Sequence, residues 1–150
     1  MSVNEIVIEA PPGDVFDVLS DADLYAEWVV GAHQSQETDP RWPQPGSVFH
    51  HKQGFPPLTI TDTTSVVSVD PSRRFVLEAR VRPLAVALID ITLEEHPSGC
   101  LVRMEERIVG GMVRYLPRGL VERVLHRRND ESLSRLREIV LRRRTPGRAA

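Results

Sequence analysis

Residues 117–143 read PRGLVERVLHRRNDESLSRLREIVLRR, and the period of their apolar side chains decides the fold. Val121, Leu125, Asn129, Leu133, Leu136 and Val140 recur at three- and four-residue spacing, and Leu120 and Val124 widen the stripe. That is one face of an amphipathic helix. Pro117 suits a first helical position, and Pro146-Gly147 stops the chain beyond about Arg143. At 1.5 Å per residue the helix spans about 40 Å. Such a helix must bury its apolar face against something. Asn129 interrupts that face, so the surface offered is not purely apolar.

Working backwards, the segments upstream read as strands. Ala85–Glu95 and Leu101–Val109 flank His96-Pro97-Ser98-Gly99 as a hairpin. Ala87, Ile89, Ile91 and Leu93 share one face of the first strand, and Val102, Met104, Glu106 and Ile108 one face of the second. Arg103, Glu105 and Arg107 fill the opposite face, which leaves Glu106 as a charge on the apolar side. Further strands are expected at Val3–Ala10, His33–Thr38, Ser47–Gln53, Leu58–Val69 and Arg74–Val81, separated by proline, glycine and Asp-Pro turns. Between the first two lie two short helices, one after Pro11-Pro12-Gly13-Asp14 and one capped by Ser20-Asp21 over roughly Ala22–Trp28. The expectation is an α+β domain in which a long C-terminal helix lies across an antiparallel sheet.

Composition fits a single domain. The chain has 150 residues, 41% of them hydrophobic and 27% charged. No apolar run approaches the roughly 20 residues needed to span a bilayer. MSVNEIVIEA has no basic region followed by an apolar one, and Cys100 is the single cysteine, so no intrachain disulfide can form. A cytoplasmic protein is expected. Residues 1–113 carry 8 basic and 17 acidic side chains, a net of −9, whereas residues 114–150 carry 11 and 4, a net of +7. A basic helix face over an acidic sheet accounts for this split. Nucleic acid is not expected, because no recognition motif accompanies the arginines.

Several residues are candidates for chemistry. A carboxyl on an apolar face, Glu106, can serve as an acid or a hydrogen-bond donor; it can equally be a structural carboxylate paired with arginine. His50 and His51 adjoin in one strand and so face opposite sides, which forbids a shared metal. His51 shares a face with Phe49 and is the one expected inside, where it would orient or deprotonate a ligand or be a satisfied or partly exposed histidine without such a role. Tyr25 and Trp28 share a helix face and either stack on a ligand or belong to the core. Trp42, in a proline-rich loop, is part of an entrance or a loop anchor. Asn129 bonds a ligand or nearby backbone. No phosphate loop is present, since Gly110-Gly111 lacks the flanking spacing and the Lys-Ser/Thr, and no zinc-type cluster of His and Cys occurs. Neither metal nor cofactor is expected.

The order of elements, together with IVIEAPPGDVFDVLSDADLYAEWVVGA (residues 6–32), Trp42-Pro43, Pro45-Gly46, the segment Arg74 to Pro83, Val102-x-Met104-x-Glu106, Gly110-Gly111, and Arg128-Asn129 with Ser132-Leu133 and Arg135-Leu136, resembles the START-like (SRPBCC) superfamily, especially its polyketide cyclase/dehydrase-like branch. The likeness covers about residues 3–142. It implies a helix-grip fold, a seven-stranded antiparallel sheet wrapped around the long helix, forming one ligand-binding domain over the 150 residues. It also implies a cavity, for which Tyr25, Trp28, Trp42, Phe49, Leu77, Ala79, Ile89, Ile91, Met104, Leu125 and Asn129 are the expected lining. The expected function is binding of a small hydrophobic or aromatic molecule, lipid- or polyketide-like. The alternative is a cyclase or dehydratase using Glu106 and His51 for proton transfer, and the third is an interaction module using the arginine-rich helix. A monomer and a homodimer both fit the pattern.

Overall fold

The computed structural model describes residues 1–30, 32–55, 58–81 and 83–144, and their side chains apart from those of 33–37 and 51–61. Seven strands form one antiparallel sheet: β1 (Ser2–Ile8), β2 (Ala32–Thr38), β3 (Val48–Phe55), β4 (Leu58–Asp70), β5 (Arg74–Val81), β6 (Ala85–His96) and β7 (Gly99–Gly110), in the order β1-β7-β6-β5-β4-β3-β2. Helix α1 (Pro12–Leu19), a 3₁₀ turn (Ala22–Leu24) and the single turn α2 (Tyr25–Trp28) join β1 to β2. A second 3₁₀ turn (Met112–Tyr115) leads from β7 into the long helix α3 (Arg118–Arg144).

The α+β architecture and the long closing helix are as the sequence predicts, with three differences in detail. Expected as one helix, Ala22–Trp28 splits into a 3₁₀ turn and an α-helical turn. The Asp21 carboxylate accepts from the Asp23 amide at 2.9 Å and starts only the first piece. β3 runs through Gly54, where a break was expected, because Gly54 pairs with Thr59 and Phe55 with Leu58; cross-strand hydrogen bonding outweighs the weak strand propensity of glycine. Third, the apolar stripe of α3 is buried only from Asn129 onward. Leu133, Leu136, Ile139 and Val140 enter the core, but Leu120 and Val124 are 52% and 57% exposed. Those two do not widen the buried face. Periodicity groups residues on a face without saying how far that face stays in contact.

The core lies between the inner face of the sheet and the C-terminal half of α3, with α1 and α2 filling one end. Six of the eight aromatic residues form an edge-to-face chain through it: Trp28–Tyr25, Tyr25–Phe49, Phe49–Trp42, Trp42–Phe75 and Phe75–Phe16, with ring centroids 4.6–6.0 Å apart. At the far end of α3 the basic helix meets acidic side chains just past β1 and in α1 rather than in the sheet itself. There Arg137 grips Glu9 with two bonds of 2.9 Å and Arg144 meets Asp14 at 3.0 Å. Arg137 holds the Glu9 carboxyl below its ordinary value.

Candidate ligand-binding site

Alternation along β7 places Val102, Met104 and Glu106 on the inner face, and Glu106 is 3% exposed. Its carboxylate is not left among apolar groups. The Asn129 side-chain amide donates to one oxygen at 2.7 Å, and the Arg128 guanidinium lies 3.5 Å from the other. Arg128 also donates through Nε to the Val30 carbonyl at 3.0 Å, while the Val30 amide donates to Ser132 Oγ at 3.1 Å. One turn of α3 therefore holds the Glu106 carboxylate and both backbone groups of Val30. On the β1 side Asn4 donates to the His126 carbonyl at 2.9 Å and to Asp130 at 2.6 Å, and Ser2 donates to Asn4. These buried polar groups fix the helix against the sheet edge, as buried hydrogen-bond networks do.

Around Glu106 lies a pocket of about 20 Å³, walled by Tyr25, Trp28, Leu77, Ile89, Met104 and Asn129. That is room for one water-sized group. Arg128, Val29 and Ser132 complete it. Burial pushes the Tyr25 phenol up to about 12, against the opposing pull of Arg128 and of the nearby Thr64 side chain, so Tyr25 is a neutral hydroxyl at physiological pH. The Trp28 indole N–H, also buried, has no acceptor among the described residues. A buried donor without a partner costs about 1–3 kcal/mol, and a group carrying an acceptor in this pocket would relieve it.

A second opening lies farther along the same seam, toward the start of α3. One step along β7 from Glu106 is Ile108, and one turn back along α3 from Asn129 is Leu125. These two, with Val121, Val113 and Leu116, wall a cleft of about 310 Å³ rimmed by Arg107, Arg114 and Arg118. Its volume is at the lower end of the range of small-molecule sites. The exposed half of α3 is what opens it.

The expected site residues divide accordingly. Tyr25, Trp28, Leu77, Ile89, Met104, Glu106 and Asn129 come together around the inner pocket, and Leu125 belongs to the outer cleft. Phe49 stands one layer behind, its ring 4.7 Å from that of Tyr25. Ala79 and Ile91 belong to the core packing and are not among the residues lining either opening. Trp42 is a loop anchor: its indole N–H donates to the Ser20 carbonyl at 2.9 Å and its ring packs on Phe49 and Phe75. The His51 side chain lies outside the described residues; its backbone pairs with Asp62 and Ser35. His50 is half-buried and meets Thr63 at 3.2 Å. Arg128 and Ser132, which carry part of the resemblance, and Asp62 and Thr64 are not among the expected site residues. Ser132 shares the Asn129 face of the helix at i+3, and Arg128 immediately precedes Asn129 at the edge of that face. Asp62 and Thr64, both fully buried on β4, share its inward face with buried Val66. Cys100 is buried, and burial pushes its thiol up, away from nucleophilic thiolate. Among the described residues no three His, Cys, Asp or Glu side chains gather to hold a metal, and no helix is long and apolar enough to cross a membrane.

Solved structures share this arrangement. Protein CV1439 of Chromobacterium violaceum superposes with a TM-score of 0.72 at 15% identity, over 92% of this chain and 95% of its own. Protein NE0264 of Nitrosomonas europaea gives 0.73 at 18% identity, over 95% of each chain. StfQ, a di-domain ARO/CYC protein from the steffimycin biosynthetic pathway, gives 0.74 at 15% identity; 94% of this chain covers 50% of that one. At such identities the likeness is one of fold. No curated protein sequence matches the chain. The family model described as polyketide cyclase / dehydrase and lipid transport matches residues 2–140, a span that begins in β1 and ends within α3 and so contains every strand and the whole β7–α3 seam. The sequence resemblance and the fold thus converge, and the chain belongs to the polyketide cyclase/dehydrase-like branch of the START-like superfamily.

Proposed function

We propose that this chain is a single binding domain for a small, mainly apolar molecule carrying one polar group. The molecule occupies the seam between β7 and α3. Its apolar body fills the outer cleft against Ile108, Val121 and Leu125, and its polar group reaches toward Glu106, Asn129 and Trp28. The observation that carries this reading is that a cleft of about 310 Å³ with apolar walls and an arginine rim lies on the same β7–α3 seam as the polar pocket around Glu106, Ile108 following Glu106 on one face of β7 and Leu125 preceding Asn129 by one turn of α3. Sites of this kind pair a mostly apolar wall with a few placed polar groups. The family description names both cyclisation or dehydration and lipid transport, and the reading follows its binding side. Glu106 acts here as an anchor, because Asn129 and Arg128 already engage its carboxylate. The reading includes a cytoplasmic site of action.

One observation favours a second reading, that of a cyclase or dehydratase. Glu106, a carboxylate, and Tyr25, a neutral phenol, line the same pocket. A base and a proton donor around one reacting atom are what proton transfer requires.

Native mass spectrometry of the protein purified from its source organism tests the first reading: a retained adduct of a few hundred daltons is expected. No adduct, together with no saturable binding of an apolar fluorophore such as anilinonaphthalene sulfonate, would sink it. Glu106→Gln separates the two readings, since glutamine keeps an acceptor for Asn129 while removing the charge. An anchor role predicts a change in affinity within about tenfold, the scale of one hydrogen bond. Loss of turnover of the identified ligand by about 10²-fold or more with binding retained would instead establish catalysis.

A further inference from the structure

We propose that the shoulder formed by the end of β7, the Met112–Tyr115 turn and the first half of α3 is a docking surface for an anionic lipid bilayer. Six of the nine large apolar side chains exposed among the described residues lie in this one stretch: Val109, Met112, Tyr115, Leu116, Leu120 and Val124. Tyr115 is 80% exposed, with the Arg114 guanidinium 5.5 Å from its ring centroid. Clustered apolar exposure of this kind marks an interaction surface rather than ordinary scatter.

Charge chooses the partner. Residues 107–127 contain five arginines and one acid, Glu122. That acid is already bound to the chain's amino terminus at 3.0 Å. Among the described residues Arg107, Arg114, Arg118, Arg123 and Arg127 have no carboxylate partner, whereas Arg128, Arg135, Arg137 and Arg144 further along α3 each have one. The fold pairs most arginines at one end of the helix with carboxylates and leaves those at the other end without one. On α3, Leu120 and Val124 lie beside Arg123 and Arg127 on the outward side, adjoining Val121 and Leu125 on the cleft side.

The shoulder is also held in place. Gly111 has φ of +91°, and a Cβ there would stand 2.5 Å from the Leu84 carbonyl oxygen. The Met112 and Val113 amides donate to the carbonyls of Pro83 and Leu84 at 3.2 and 2.9 Å. The apolar tips are therefore presented on a pinned turn and a helix.

A second copy of the chain fits this face poorly, since a two-fold interface brings the face against itself and would oppose arginine to arginine. Nucleic acid would satisfy the arginines and leave the aliphatic side chains in water. A bilayer surface takes both, apolar side chains at the acyl boundary and guanidinium groups against lipid phosphates. The inference goes beyond the binding reading; Leu116, Arg107, Arg114 and Arg118 border the cleft as well as this shoulder, so its test rests on Leu120, Val124, Arg123 and Arg127, which do not line the cleft.

Co-sedimentation of the full chain with vesicles tests this, using equal parts phosphatidylglycerol and phosphatidylcholine against phosphatidylcholine alone. Binding to the anionic vesicles is expected, weakening as salt is raised. R123Q/R127Q should weaken it by roughly fivefold per arginine. L120D/V124D should abolish it. R137Q, at the paired end of α3, should leave partition unchanged. All are surface positions, and unchanged thermal unfolding checks that each variant is folded. The proposal is overturned if the wild type stays in solution with anionic vesicles at low salt, or if R137Q weakens partition as much as R123Q/R127Q. It also fails if L120D/V124D converts a dimer to monomer, or if duplex DNA binds where vesicles do not.

Discussion

At the scale of single residues, the site is made of polar groups placed where an apolar interior would otherwise continue. Glu106 could be found from sequence because strand alternation is strict: a charge out of phase with its neighbours stands out. Arg128 stood out only as part of the resemblance in the closing helix; its role could not be read, because one arginine among many in a basic helix gives no sign of its partners. Asp62 and Thr64 were masked in the same way by a threonine-rich strand whose parity the sequence leaves open. Tyr25 shows what burial does to such a group. Its phenol is pushed up to about 12 in the folded chain, against 10.0 for the unperturbed group. Below pH 10 both folded and unfolded chains keep the proton, and the stabilising preference is whole. As pH rises from about 10 to 12 the unfolded chain ionises first and stability falls, by up to about 3 kcal/mol from this residue. Denaturant unfolding across this window should show that loss, and Tyr25→Phe should reduce it. An equal loss in the variant would mean that Tyr25 is not the cause.

At the scale of the element, α3 is two helices in function. Its C-terminal half is a core element, with Leu133 and Leu136 fully enclosed; its N-terminal half is a wall and an outer surface. Leu136→Ala should therefore destabilise the chain by about 2–5 kcal/mol, as enclosed leucines do. Leu120→Ala should shift stability by no more than about 0.5 kcal/mol, the range of exposed substitutions. Comparable losses at the two sites, measured by chemical denaturation, would contradict the division. The helix and its stripe were legible in the sequence because seven turns of period accumulate a strong signal. The point where the stripe leaves the core was not, since it depends on how far the sheet and α2 extend beneath the helix. For the same reason the strand spans were close to those observed, while the short Ala22–Trp28 segment, with a single turn of each helix type, was merged into one.

At the scale of the molecule, sheet, short helices and α3 meet at one place, and the backbone of Val30 is where they are joined. Both its N–H and the C=O of the same residue are bonded to α3, through Ser132 and Arg128, and the two residues before it, Trp28 and Val29, wall the inner pocket. The pocket wall and the helix therefore cannot separate without releasing this residue. An α3 that lifts to admit a molecule larger than one water has to expose the Val30 amide or carry α2 with it. Hydrogen–deuterium exchange reads that choice directly. If the wall is released during entry, the Val30 amide exchanges faster than the amides of β6 in the free protein and slows when the cleft is filled. An amide equally slow in both states would mean that α2 and α3 move as one body, and that the timing of entry is set by the sheet edge instead.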